Sequence, residues 1–195
     1  HFATGDLVAA TAESVARTMA VATGPMKRAV IQGLGGIGTL LAARLHAQGV
    51  QVTASDIRPT PGNPGVAMVP PERVYDEPCD VFAPCALGGV LDVHTIARLQ
   101  CRVVCGAANN PLATPDDADR LHARGIVYVP DVLANAGATI LGASNALGEE
   151  QAIAGRMDAL VALTADILAR AAREHRSPHH VAMEIADARV KTLTR

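Results

Sequence analysis

The stretch Arg28-Ala-Val-Ile-Gln-Gly33-Leu-Gly35-Gly-Ile-Gly38 decides the fold, because an apolar strand runs straight into glycines and the glycines run into a helical pattern. Ala29 to Ile31 reads as the strand, and Ile37, Leu40, Leu41, Ala43 and Leu45 follow as the apolar positions of the helix. A Gly-x-Gly-x-x-Gly spacing at such a junction suits a nucleotide-binding turn. Gly33 would allow the tight turn, Gly35 would let a pyrophosphate approach the backbone, and Gly38 would let the helix pack closely on the strand. Gly36 and Ile37 open the helix, whose free N–H groups and positive dipole end would face the phosphates. A second apolar strand, Val50 to Ala54, delivers Asp56 and Ile57 about 20 residues beyond the turn, where this fold places the carboxylate that holds an adenine ribose. A lone glycine turn would also suit an ordinary strand-helix-strand unit; the strand before it, the helix after it and Asp56 beyond it favour the nucleotide.

The 195 residues suffice for one good-sized domain with appended helices, and a net charge of −2 gives no strong attraction to nucleic acid or anionic lipid. A small-molecule partner is expected, with no nucleic acid and no membrane. No long apolar run or export signal is visible, so the cytoplasm is the expected location. The start at His1 suggests a processed or truncated chain. Aromatics are scarce and there is no Trp, so the core is expected to be aliphatic, as in layered α/β proteins. Cys79, Cys85, Cys101 and Cys105 lack zinc spacing and read as buried, reduced thiols, with a reactive thiol as the alternative for Cys85 alone. No metal site is expected.

Along the chain, Val8, Ala12, Val15, Met19 and Ala22 predict a helix from Asp6 to Thr23, in which Thr11 and Ser14 are either surface residues or hydroxyls near a cofactor. After the strand Val50 to Asp56, the proline-rich segment Arg58 to Gly65 leaves no room for a full crossover helix. A short strand at Ala67–Val69 and a buried strand at Asp80–Ala83 follow, the latter ending in the loop Pro84-Cys85-Ala86. Asp92 suits the cap of a helix reaching Leu99, and Arg102 to Ala107 reads as the next strand, with Asn109 and Asn110 emerging from its carboxyl end. Thr114-Pro115-Asp116-Asp117 opens a helix that Arg124-Gly125 stops, Ile126–Val129 is a strand, and two helices, Glu149 to about Glu174 and Ser177 to about Lys191, end the chain. The predicted organisation is a leading helix (1–25), a Rossmann-type doubly wound parallel sheet with helices on both faces (26–148), and C-terminal helices packed on it (149–195).

The segments Cys79 to Val90, Gly106 to Asn110 and Leu121 to Asp131, with Asn135-Ala-Gly137, resemble the glutamate/leucine/phenylalanine/valine dehydrogenases over essentially the whole chain, and best their phenylalanine and leucine branch. The resemblance implies the C-terminal NAD-binding domain of an enzyme that interconverts an L-amino acid and a 2-oxo acid plus ammonia. Carried over, it implies that Gly33, Gly35, Gly36, Ile37 and Gly38 hold the pyrophosphate and that Asp56 and Ile57 border the adenine ribose. Ala83, Pro84, Cys85 and Ala86 would line the nicotinamide ribose, and Thr11, Ala107 and Asn109 or Asn110 would fix the nicotinamide carboxamide. Asn135 would contact the amino acid substrate near its carboxylate. The Asn pair also suits a turn, and Asn135 also suits a helix cap.

This chain departs from that pattern at Ala138, where the family usually has glycine, and in the shortened region after Asp56. The family's catalytic lysines and aspartate belong to an N-terminal substrate domain, which is expected to be absent from this chain. Its lysines are Lys27, at the amino edge of the first strand, and Lys191, near the end, so no catalytic residue is assigned within it and the chain alone is expected to be inactive. His46, His94 and His122 fall in helices away from the carboxyl rim, and His179-His180 read as solvated or capping. The alternative is a non-catalytic nucleotide-binding or assembly module derived from such an enzyme. A homo-oligomer is left open. Asp56 favours NAD over NADP, while Arg58 nearby argues the other way.

Overall fold

The computed structural model describes residues 4–58 and 65–193. Helix α1 (Thr4–Thr23) leads into β1 (Arg28–Gln32), α2 (Gly36–Ala47), β2 (Gln51–Ser55), β3 (Val66–Met68) and β4 (Val81–Pro84). Then come α3 (Val93–Arg98), β5 (Val103–Val104), α4 (Asp116–Ala123), β6 (Val127–Tyr128), α5 (Asp131–Ala134), α6 (Gly137–Ala146), α7 (Ile153–Glu174) and α8 (Pro178–Leu193). The strands make one parallel sheet in the order β3-β2-β1-β4-β5-β6. This is the Rossmann-type doubly wound order: the chain winds outward from β1 to β3, returns to β4 and winds the other way. A crevice therefore opens at the carboxyl ends of β1 and β4.

Alternation along each strand sends neighbours to opposite faces, and both faces are covered. Ala29, Ile31, Val81, Ala83, Val103 and Cys105 meet Val15 and Met19 of α1 and Leu41 and Leu45 of α2 on one side. Val30, Phe82 and Val104 meet Ile96 of α3 and Leu121 of α4 on the other. The aliphatic core read from composition is present. The long stripe of α7 lies against neighbouring helices: Met157, Leu160, Ile167 and Ala171 join Leu133 of α5 and Val181 of α8 in a separate cluster.

Local signals act as their chemistry predicts. Asp92 Oδ1 accepts the His94 and Thr95 N–H groups, while Thr95 Oγ1 accepts the Asp92 N–H, closing a capping box on α3. Ahead of α4 the buried Asp117 carboxylate reaches back to the Thr114 N–H and hydroxyl and is paired with Arg120. Strand bounds differ from expectation: β4 runs one residue later than Asp80–Ala83, and β6 keeps only Val127–Tyr128 of Ile126–Val129. β3 is one residue earlier than predicted, and β5 spans only Val103–Val104 of the expected Arg102–Ala107. Pro84 of the neighbouring strand has no N–H to give, and Gly106 lies against it, so the ladder stops there. Residues 59–64 of the proline-rich segment lie outside the described residues.

At the amino edge, Asp80 accepts the Lys27 and Arg28 N–H groups at 2.7 and 3.0 Å and pairs with Arg102. The Lys27 N–H, then the Arg28 N–H, hold its carboxyl below the ordinary value against the opposing effect of burial. Asp92 is shifted the same way, chiefly by the Thr95 N–H. A carboxyl that ionises at lower pH when folded adds stability that is complete above the unfolded pKa, about 3.9, and is lost as pH falls through the folded one. The denaturation midpoint is therefore expected to fall steeply below about pH 4. Asp80→Asn should flatten that fall, and an acid limb as steep as that of the parent would refute the assignment.

Candidate functional site

The glycine turn is pinned to the end of β2. Gly33 has φ +98° and donates its N–H to the Ser55 carbonyl at 2.7 Å, and a Cβ there would come within 2.7 Å of the Ala86 side chain. A Cβ on Gly38 would collide with the Gly33 carbonyl, so α2 can lie this close to β1 only with glycine at 38. Around Gly35, by contrast, the space where a Cβ would stand is open, and no side chain caps α2. Uncapped first-turn N–H groups beside open space fit the pyrophosphate of a dinucleotide. Asp56 braces the turn: Oδ2 accepts the Leu34 N–H at 2.7 Å and Oδ1 the Arg58 N–H at 2.8 Å. The Arg58 N–H is the largest cause holding its carboxyl below the usual range, with the Leu34 N–H and the Arg58 charge adding to it and burial opposing.

A cavity lies on either side of the turn. The smaller, about 140 Å³, is lined by Gln32, Gly33, Ser55, Asp56, Val74 and Val90, with Ile57 and Leu87 among its most exposed walls. It suits a flat, mostly apolar ring. Gln32 donates Nε2–H to the Tyr75 hydroxyl at 2.7 Å, while its buried Oε1 has no partner among the described residues. The larger cavity, about 330 Å³, is lined by Thr11, Ile37, Ala107, Asn109, Asn135 and Ala138 with Leu7, Val8 and Thr139. Ile37 borders one cavity and Gly33 the other, so the glycine turn joins them.

The larger cavity is held together across the chain. Asn135 sits between α5 and α6 and donates Nδ2–H to the Asn109 carboxamide oxygen at 2.7 Å and to the Ala107 carbonyl at 3.2 Å. Its side chain caps no helix, which removes the capping alternative. Asn109 belongs to this cavity, whereas Asn110, in the left-handed region at φ 48°, has its N–H on Asp131 and faces a different cavity. Thr11 and Ser14 are both buried. Thr11 borders the cavity with Oγ1 on the Leu7 carbonyl, and Ser14 lies behind it, donating to the Ala134 carbonyl at 2.8 Å and accepting the Gly137 N–H at 3.1 Å. That clasp grips Asn135 from both sides. Sequence reasoning did not find it, because the partners are 120 residues apart.

Other expectations separate. Ala83 is fully buried in the core and Pro84 is buried in β4, so of that loop Cys85 and Ala86 are the residues at the rim. Burial pushes the Cys85 thiol up to about 11, against the Ala107 N–H, so it is not a reactive thiolate at neutral pH. Lys27 is exposed at the amino edge, remote from both cavities. His179 corrects the solvated reading: its ring lies 6.2 Å from that of Tyr128, its Nδ1 is buried, and it lines the cavity of Asn110 and Asp131. His180 stands 3.3 Å from Asp119. Among the described residues no group of three metal-ligating side chains exists, and no helix is long and apolar enough to cross a membrane.

This chain is similar to leucine dehydrogenase of Geobacillus stearothermophilus, 32% identical over 174 residues, covering 86% of the chain and 47% of that enzyme. It is similar to L-tryptophan dehydrogenase of Nostoc punctiforme, 40% identical over 119 residues, covering 58% of the chain and 34% of that enzyme. The crystal structure of the Nostoc enzyme superposes with a TM-score of 0.88 at 29% identity, over 97% of this chain and 62% of that one. The chain thus spans about a third to a half of the length of these curated relatives. A hetero-hexameric glutamate dehydrogenase of Thermus thermophilus, at 22% identity and a TM-score of 0.74, shares the fold. The family model for Glutamate/Leucine/Phenylalanine/Valine dehydrogenase matches residues 59–191, and the chain belongs to that family of oxidoreductases.

Proposed function

We propose that this chain is the NAD-binding part of an amino acid dehydrogenase, which oxidises an L-amino acid to a 2-oxo acid and ammonia. The observation that carries this reading is the pair of cavities joined by the glycine turn, one apolar and one rich in amides, on the scale of the two halves of a dinucleotide. The adenine would lie between Ile57 and Leu87, and the ribose beside Asp56. The pyrophosphate would meet the N–H groups opening α2, and the nicotinamide would enter the cavity of Thr11 and Asn109. The bound cofactor supplies the hydride acceptor. Asn135 holds the substrate beside it, its carboxamide oriented by Asn109 and Ala107. The lysines and the aspartate that move protons and hold the substrate carboxylate come from residues outside this chain. The partial coverage of the relatives supports that division, with residues 1–25 linking the two parts. The named relatives act on leucine and tryptophan, so the proposed substrate class is an amino acid with an apolar side chain.

Calorimetric titration of this chain with NADH is the direct test. Binding with a dissociation constant below about 1 mM is expected, and no heat at millimolar NADH would overturn the reading. NADPH should bind at least about tenfold more weakly, since the Asp56 carboxylate repels a 2′-phosphate. Equal affinities would instead assign the ribose contact to Arg58. Because the Asp56 carboxyl is held below its ordinary value, NADH affinity should not titrate through it between pH 5 and 8.

In the protein that carries both parts, Asn135→Ala should raise KM for the amino acid about tenfold with KM for NAD little changed. Ser14→Ala leaves the Ala134 carbonyl and the Gly137 N–H unpaired and should cost about 1–3 kcal/mol in denaturant unfolding, besides weakening the amino acid. A Ser14→Ala protein as stable as the parent would dismiss the clasp.

A further inference from the structure

Two thiols meet at the amino edge of the sheet, at the end of the strands opposite the glycine turn. Cys79 lies in the approach to β4 and Cys101 in the approach to β5. The register that pairs Val81 with Val103 sets these two residues side by side when carried back, and the Cys79 N–H donates to the Gln100 carbonyl at 3.1 Å. Both side chains enter the same hydrophobic cluster, Cys79 as a buried member and Cys101 half-buried against it, near enough for each thiol to shift the ionisation of the other. Neighbouring strands stand about 4.8 Å apart, within the range of about 4.4–6.8 Å between the Cα atoms of a disulfide.

The two sulfurs differ in character. The neighbouring Cys101 and then burial oppose the ionisation of Cys79, which keeps its proton. The Cys79 thiol beside it is the largest cause lowering the pKa of Cys101 against the opposing effect of burial, and the positive charge of Arg124 adds to it. Arg124 is itself fixed on the Ile96 and Leu99 carbonyls. The other two thiols stay protonated: burial pushes Cys85 up to about 11 and Cys105 up to about 12.

We propose that Cys79 and Cys101 form an oxidisable dithiol that closes to an intrachain disulfide when a hydroperoxide reaches Cys101. The Cys101 thiolate attacks one peroxide oxygen; an S–O bond forms, the O–O bond breaks, and the departing hydroxide takes a proton to become water. Cys101 is now a sulfenic acid. The Cys79 sulfur then attacks the Cys101 sulfur; the S–S bond forms, the S–O bond breaks, and the departing hydroxide leaves as a second water with the Cys79 proton. Two thiols have lost two electrons and two protons, and one hydrogen peroxide has become two waters. A dithiol reductant returns the pair to thiols.

The test treats the reduced, folded chain with a small excess of hydrogen peroxide, traps free thiols under denaturing conditions, and maps the peptides by mass spectrometry. The expected product has lost two hydrogens and yields one cross-linked peptide pair joining Cys79 to Cys101. Cys85 and Cys105 should remain fully alkylated, and dithiothreitol should restore the parent mass. Cys79→Ser should give no cross-link and drive Cys101 on to sulfinic acid, since the resolving thiol is gone. Three outcomes on the unaltered chain would overturn the proposal: neither thiol oxidised, Cys101 reaching sulfinic acid without a cross-link, or a disulfide that joins other cysteines or two chains.

Discussion

The contact between Gly38 and the Gly33 carbonyl sets how closely α2 lies on β1, and the rest of the carboxyl edge is arranged around that distance. With the helix so close, its uncapped start opens onto the bare surface of Gly35, and the two cavities fall on either side of it. Asp56 adds a second restraint, because its carboxylate reaches from the end of β2 to the Leu34 N–H. The charge that would meet a ribose is therefore also the charge that holds the turn. Its burial cost is offset by backbone donors, and a substitution at 56 disturbs both roles together.

The sheet supplies the rigid frame for this edge. Strands covered on both faces cannot slide without moving aliphatic side chains out of two clusters at once. The reversal of winding between β1 and β4 leaves the crevice that neither helix layer fills. The third cluster, built by α5, α7 and α8, stands apart from the sheet and leads α8 back to the rim, where His179 meets Tyr128.

Much of this was legible in the residues because it depends on neighbours in sequence. The glycine turn, the Asp92 cap and the stop at Gly125 are local devices, and each stands where it is written. The parts that were not legible depend on residues brought together from a distance. β5 is short because of a proline on another strand, so no reading of Arg102 to Ala107 alone would show it. The choice between Asn109 and Asn110 turns on a left-handed backbone at 110 and its bond to Asp131. Whether Ser14 was a surface residue or a hydroxyl near a cofactor stayed open in the sequence, because its two partners come from beyond β6. His179 looked like part of a solvated tail until α8 folded back.

One consequence follows from the way α1 is fastened. Thr11 and Ser14 share this helix, and Ser14 is bonded to the segment that carries Asn135, so the hydroxyl and the amide that line the larger cavity belong to one mechanical piece. Through those two bonds the start of α6 and the cavity-lining turn of α1 are tied to each other directly, not by way of the sheet between them.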